Sequence, residues 1–128
     1  MKCKGDLTVA FFNPEIFLSI AKKILKYKDI DEQGKFRTVI GRAYYAAFLA
    51  VREYLIRYRG RTFDKERQHQ DVIDALDTLD AYNVKYLLER LRDNRVNADY
   101  YLYKMLTLSL CKKSISISEE IINSIEDI

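Results

Sequence analysis

The 128-residue sequence has little that would break or cross-link the chain: it contains four glycines, one proline, two cysteines and no tryptophan. So few glycines and prolines argue against a sheet-rich or disordered protein. With 48% hydrophobic and 32% charged residues, the balance favours a helical globular protein. This length suits one domain around a single core. We therefore predict one helical domain over residues 1–128.

The cysteines and the apolar runs bear on where the protein works. Cys3 and Cys111 have neither metal-ligand nor redox spacing, which favours reduced thiols in an intracellular protein. No apolar run approaches the ~20 residues of a membrane span, and the N-terminus lacks the pattern of a secretion signal. We therefore expect a cytoplasmic protein with no membrane partner.

The charged residues do not decide what kind of ligand the protein binds. The formal charge of +3 and the pI near 8.8 permit contact with nucleic acid without requiring it. Acidic residues at steps of three, Asp71, Asp74, Asp77 and Asp80, are typical of a solvated helix face. No second group of metal ligands accompanies them, so no metal and no cofactor are predicted.

Apolar residues at helical spacing divide the first half of the chain into two helices. Asn13, followed by Pro14 and an acid, is a strong helix start, and the first helix runs to about Tyr27. A linker is predicted over 29–34. The second helix has more than twenty residues, ends at Gly60, and carries an alanine-rich apolar stripe that makes it the expected centre of the fold.

The second half of the chain predicts three more helices. The third begins at about Arg67, the fourth spans roughly Asn83 to Tyr101, and the fifth starts with Thr107 as its cap. Residues 114–118 read "SISIS" and alternate like a strand, but no second strand is available, so helix is preferred, either continuous or broken at Ser118. The fold class is all-α, an antiparallel up-and-down bundle of four to five helices.

The fourth predicted helix carries a charge on its apolar stripe. Val84, Leu88, Leu91, Ala98 and Leu102 share one register with Arg95. A charge on a buried face is costly unless it is paired or binds something. Arg95 is therefore either a member of a buried ion pair, with Asp99 one turn further on as the partner, or part of a functional site that Arg92 also faces.

Three segments together resemble a known family. "GRAYYAAFLAVREYL" at 41–55, "HQDVIDAL" at 69–76 and "RVNADYY" at 95–101 look like the HEPN superfamily, and specifically its short stand-alone bacterial and archaeal members with an Arg-x-x-Ala-Asp-Tyr motif. The similarity covers about residues 13–125. It implies a helical bundle that forms a homodimer, with the second and fourth helices meeting in a cleft between subunits.

The resemblance also implies an activity. Many HEPN proteins are metal-independent endoribonucleases, which act as toxins beside a minimal nucleotidyltransferase antitoxin or as parts of defence systems. Arg95 matches the arginine of their catalytic motif, but the histidine expected four to six residues later is replaced by Asp99, Tyr100 and Tyr101. The only histidine, His69, matches a histidine of this subfamily. The resemblance thus makes Arg95, Asp99, Tyr100 and His69 catalytic candidates and Tyr101 the candidate for modification by a nucleotide.

The chemistry of RNA cleavage leaves alternatives open for this group. Arginine meets phosphate with a planar, permanently charged fork, while proton transfer near neutral pH is normally given to histidine. The cluster of Arg92, Arg95 and Asp99 could be a catalytic cleft, a phosphate or nucleotide site, or a dimer-interface network. His69 could approach that cleft or be a core-edge histidine at a helix start.

A basic segment after the second helix is the other RNA-binding candidate. Arg57, Arg59 and Arg61 alternate with aromatic residues, a mixture that suits RNA phosphates and bases but also a solvated helix end. With Arg92, these are the predicted phosphate-binding residues. We predict a HEPN protein that binds or cuts RNA as the toxin-like or defence-associated half of a nucleotidyltransferase pair. The alternative is a non-catalytic nucleotide- or partner-binding module.

Overall fold

The computed structural model describes residues 12–128 and folds them into five α-helices and a terminal 3-10 turn, with no strand among them. The all-α prediction is therefore confirmed. In chain order the elements are α1 (Glu15–Lys26), α2 (Glu32–Tyr58), α3 (Gln68–Thr78), α4 (Tyr82–Tyr100), α5 (Leu108–Ser124) and the turn Ile125–Asp127.

Side-chain caps explain where two of the helices begin. The Asp31 carboxylate accepts a hydrogen bond from the Gly34 amide at 2.9 Å, so α2 starts inside the segment 29–34 that the sequence assigned to a linker. Acidic N-caps satisfy amide groups that the first helical turn leaves unpaired. The Thr107 hydroxyl accepts from the Leu110 amide at 3.1 Å, which confirms Thr107 as the cap of α5.

Contacts between helices define their directions. Arg95 of α4 meets Tyr45 of α2, and Ala98, one turn further along α4, meets Arg37, two turns back along α2. The two helices are therefore antiparallel. Because short connections also join α1 to α2 and α4 to α5, these neighbours alternate in direction as an up-and-down bundle requires.

The core is centred on α2, as its alanine-rich stripe predicts. Four alanines of this helix are fully buried, which lets its neighbours approach closely, and the rings of Tyr44 and Phe48 are buried and stacked on each other. Cys111 of α5 is buried against the Phe36 carbonyl and is a core residue as expected. Cys3 lies outside the described residues.

Helix α5 decides between the two alternatives that the sequence left open. Residues 114–118 are helical throughout, so the preferred helix is confirmed and it is not broken at Ser118. Ser114 and Ser118 are both fully buried, and Ile115 and Ile117 are buried as well. Because α5 packs against α1, α2 and α4 together, more than one of its faces is covered, and the alternating pattern reflects this burial rather than a strand.

Candidate functional site

Arg95 lies between α4 and α2, with 16% of its side chain exposed. Its Nε is 2.8 Å from Asp99 Oδ2, although the N–H is not aligned with that oxygen, so the contact is an ion pair rather than a directed hydrogen bond. The Nη2 group donates to the Tyr45 hydroxyl at 3.2 Å. The charge on the apolar stripe is therefore paired within the chain.

Aromatic rings surround the Arg95 guanidinium. Its central carbon lies 5.8, 5.4 and 5.6 Å from the ring centroids of Tyr44, Tyr45 and Tyr100, within the range of cation–π attraction. Burial alone would lower the pKa of Arg95, but Tyr45, Asp99 and Tyr100 outweigh it and raise the pKa. Arg95 stays charged at every relevant pH.

His69, in the first turn of α3, contacts two of these tyrosines, Tyr44 and Tyr45. His69 Nδ1 is 2.6 Å from the Tyr44 hydroxyl. The imidazole is stacked on Phe48 at 4.2 Å between centroids and 12° between planes, and it meets Tyr45 edge-on at 6.0 Å. Tyr44 and Tyr45 therefore lie between the arginine and the histidine, and residues from α2, α3 and α4 form one cluster.

Burial and positive charge set the protonation states in this cluster. The pKa of His69 is lowered from 6.5, first by burial and then by Arg92, Arg95 and Arg52, so the imidazole is neutral at pH 7. Burial raises the pKa of the Tyr44 hydroxyl above its usual range, against a smaller opposing effect of Arg92 and Arg95. The cluster thus combines permanent cations with a neutral imidazole and a protonated phenol.

Arg52 and Arg92 border the cluster. Arg52 donates to the Gln68 side chain at 2.9 Å, which ties α2 to the residue before His69. Arg92 lines a groove of about 310 Å³ between α3 and α4. The sequence singled out Arg92 but missed Tyr44 and Tyr45 as site residues. The sequence feature that could have identified them is a pair of adjacent tyrosines within an alanine-rich run, where helices pack closest.

The predicted basic segment lies elsewhere. Arg57 and Arg59 follow Tyr45 on α2 by about 20 Å at 1.5 Å per residue. Arg57 Nε lies 3.8 Å from a Glu53 carboxylate oxygen, and Arg59 donates to the carbonyl of the last residue, Ile128, at 2.7 Å. Arg61 lines a separate depression beside α3. The structure does not bring these three arginines to the cluster around Arg95.

Two side chains of α2 hold the segment that follows α4. Arg37 donates to the Ala98 carbonyl at 2.8 Å and to the Lys104 carbonyl at 2.6 Å. Gln33 donates to the Leu106 carbonyl at 2.8 Å and accepts from the Leu106 amide at 3.0 Å. These bonds fix the backbone of residues 101–106 although it has no regular secondary structure.

The held segment presents aromatic and apolar side chains to solvent. Tyr103 and Met105 are exposed, as is Tyr100 at the end of α4, and Tyr101, the predicted modification site, is 43% exposed. The Lys104 ammonium lies 5.1 Å from the centroid of the Tyr101 ring. Tyr100, whose ring centroid lies 5.6 Å from the Arg95 guanidinium, places this exposed surface next to the Arg95 cluster.

Two further observations concern metals and membranes. Within residues 12–128 no three His, Cys, Asp or Glu side chains lie close enough to hold a metal ion. In the acidic series Asp74 accepts from Gln70 and Asp77 pairs with Lys85 at 3.1 Å. None of the helices in the described part is both long and apolar enough to cross a membrane.

Comparison with known proteins gives the class to which this helical bundle belongs. Residues 15–128 match the HEPN domain family, and the chain belongs to that family. This membership supports a role related to nucleotides or RNA.

The chain is also similar to two uncharacterized proteins of Methanocaldococcus jannaschii. It is 28% identical to MJ0992 over 98 residues, which cover 77% of this chain and 52% of that protein. It is 29% identical to MJ0628 over 125 residues, which cover 85% of this chain and 75% of that protein. The chain thus spans about half the length of the first relative.

Proposed function

We propose that this protein binds RNA through the phosphate backbone, with Arg95 and Arg92 as the principal cations. The observation that carries the proposal is the convergence of α2, α3 and α4 on one cluster of two arginines, a neutral histidine and tyrosines. A guanidinium that remains charged and lies among aromatic rings suits a phosphate next to a base. In this view the protein is a toxin-like or defence-associated HEPN protein with one domain over residues 1–128.

Binding is tested with fluorescent single-stranded RNA titrated with wild type and Arg95→Ala. Arg90→Ala is the matched control, because Arg90 is on the same helix, carries the same charge and stacks on Tyr86 outside the cluster. We expect Arg95→Ala to weaken binding by about tenfold or more and Arg90→Ala to change it little. Equal effects of the two substitutions would mean that RNA is attracted by positive charge without a specific site, and would contradict the proposed site.

Metal-independent cleavage of RNA is a second candidate function, and the position of His69 favours it. Cleavage needs the ribose 2′-hydroxyl to attack the adjacent phosphorus, stabilisation of the added negative charge, and transfer of a proton. The Arg-x-x-Ala-Asp-Tyr motif lacks a histidine, but His69 reaches the same tyrosine pair from α3. The test is incubation with mixed RNA in excess chelator, where fragments with wild type and none with Arg95→Ala would establish cleavage.

A minimal nucleotidyltransferase partner is supported by the exposed tyrosines after α4. Tyr101 is half-exposed on a segment that Arg37 and Gln33 hold in place, so its hydroxyl is available to a partner enzyme. We expect a mass increase of one nucleotide on wild type after incubation with the partner and nucleoside triphosphates, and none on Tyr101→Phe. An unchanged mass of wild type would remove this part of the proposal and leave RNA binding untouched.

A further inference from the structure

The contact between Tyr44 and His69 has two arrangements of its hydrogen atoms. In the first, the tyrosine hydroxyl donates to Nδ1, and the neutral imidazole carries its proton on Nε2. In the second, Nδ1–H donates to the tyrosine oxygen, and the hydroxyl hydrogen needs another acceptor. The 2.6 Å separation fits both arrangements, so their surroundings decide between them.

Those surroundings favour the first arrangement. Tyr44 is only 1% exposed, and His69 is the only hydrogen-bond partner of its hydroxyl among residues 12–128. The second arrangement would leave a buried hydroxyl hydrogen without an acceptor, a loss worth roughly tenfold in population. Stacking on Phe48 and the edge contact with Tyr45 hold the ring plane, so the imidazole cannot easily turn away.

We propose that Tyr44 is a positioning residue that keeps the proton of neutral His69 on Nε2, so that His69 offers an N–H donor, and not a base, to a phosphate oxygen of RNA. The second half of this proposal rests on the proposed RNA-binding function. It also bears on cleavage, because the one unprotonated ring nitrogen is already occupied by Tyr44. Catalysis by His69 as a general base would require that bond to break.

The charged groups around His69 agree with this assignment. Arg52 approaches from α2, and Arg92 and Arg95 approach from α4. All three positive charges oppose a second proton on the ring, and the lowered pKa of His69 has these arginines among its causes after burial. A neutral ring that donates from Nε2 adds a hydrogen bond to a site whose cations already attract phosphate.

The tautomer is measured directly, because His69 is the only histidine of the sequence and untagged protein therefore gives one pair of imidazole nitrogen signals. In long-range proton–nitrogen NMR spectra of wild type we expect Nδ1 to be unprotonated and Nε2 to be protonated. A protonated Nδ1 in the neutral form would overturn the proposal without any variant.

Two variants isolate the part played by the hydroxyl of Tyr44. Tyr44→Phe keeps the ring and removes the donor, so we expect the pKa of His69 to rise and the Nδ1 signal to move towards that of a free imidazole. Tyr54→Phe makes the same change further along α2, where the hydroxyl contacts Ile128, and should leave both unchanged. Identical spectra for wild type and Tyr44→Phe would show that Tyr44 does not position the histidine.

The phosphate half is tested with an RNA oligonucleotide that is 2′-O-methylated throughout and so cannot be cleaved. We expect it to shift the Nε2 signal, and we expect His69→Gln, whose amide keeps a donor near the Nε2 position, to retain binding within about threefold while His69→Ala loses about tenfold. Binding that leaves the His69 signals unmoved overturns the phosphate contact alone. No binding by wild type overturns the proposed function and this contact with it, while the tautomer measurement decides the role of Tyr44 separately.

Discussion

At the scale of single residues, the contacts of Arg95 explain how a charged side chain is tolerated at a position where the helical pattern predicts leucine. The side chain is paired with Asp99, bonded to Tyr45 and surrounded by rings, so its charge is compensated without full burial. Removing one partner of a partly buried ion pair leaves the charge of the other uncompensated. Substitutions that change the charge of Arg95 or Asp99 are therefore expected to have larger effects than those that keep it.

Asp99 competes with phosphate for Arg95, and this gives a prediction. Replacing Asp99 with asparagine keeps the shape and removes the negative charge that pairs with the Arg95 Nε at 2.8 Å. We expect Asp99→Asn to tighten RNA binding by roughly three- to tenfold at low salt and to steepen its salt dependence. Asp77→Asn, which removes a carboxylate that pairs with Lys85 outside the cluster, is the matched control. Weaker binding by Asp99→Asn would instead mean that the carboxylate is needed to orient Arg95.

The lowered pKa of His69 gives a prediction for stability. The unfolded chain takes up a proton near pH 6.5, whereas the folded protein does so only at lower pH, because burial and Arg92, Arg95 and Arg52 oppose it. In that window the unfolded state binds more protons, so stability falls as pH decreases. Denaturant titrations from pH 7.5 to 5 should show a steeper loss for wild type than for His69→Gln. Parallel curves for the two proteins would contradict the lowered pKa.

At the scale of single elements, α5 carries two buried serines in different circumstances. The Ser114 hydroxyl accepts from the Asn94 side chain at 3.2 Å, whereas the Ser118 hydroxyl has no partner in the described part of the chain. The two positions are one turn apart on the same helix. They therefore form a natural pair for separating the value of a hydrogen bond from the cost of burying a hydroxyl.

Alanine at each position separates these effects. Both substitutions gain similar helix propensity, so their difference reports the hydrogen bond. We expect Ser114→Ala to cost about 1 kcal/mol of unfolding free energy, and Ser118→Ala to be neutral or to stabilise by up to about 1 kcal/mol. Urea unfolding followed by circular dichroism measures both. Equal changes would place a partner, such as a bound water molecule, at Ser118.

The same helix illustrates what sequence patterns predict and what they miss. Helical spacing and the Thr107 cap predict its start correctly, because capping is a local interaction between neighbours in sequence. The sequence left open whether the helix continues through Ser118, because burial of several faces of α5 depends on where α1, α2 and α4 pack. A second covered face shows in the periodicity only when its residues are apolar, and in α5 Ser114 and Ser118 are buried although they are polar.

At the scale of the whole molecule, the all-α fold and the pairing of Arg95 with Asp99 followed from sequence, whereas the contacts that join the cluster to α3 did not. His69 and Tyr44 are 25 residues apart, and only the packing of α3 against the bundle places them in contact. The three arginines at 57, 59 and 61 were grouped with Arg92 by charge. The structure separates them because most of the second half of α2, from Tyr45 to Tyr58, lies between the cluster and these arginines.

The exposed segment after α4 bears on the homodimer that the family resemblance implies. Leu102, Tyr103 and Met105 are 77%, 79% and 78% exposed, although Arg37 and Gln33 hold their backbone in place. In the middle turns of α2 most side chains are buried within the chain, whereas those after α4 are exposed, so we place the proposed interface nearer the end of α4. A fixed apolar surface beside the Arg95 cluster suits an interface that would bring two clusters together.

This arrangement predicts that one charge introduced after α4 separates the subunits. We expect wild type to sediment as a dimer at micromolar concentration and Leu102→Glu to sediment as a monomer, because burying an unpaired carboxylate in an apolar interface is costly. Ile16→Glu, which alters an exposed apolar residue on α1, is the control and should remain dimeric. If the RNA-binding site is shared between subunits, Leu102→Glu should also weaken RNA binding while its helical content is unchanged. A monomeric wild type would contradict the dimer and leave each cluster to bind RNA alone.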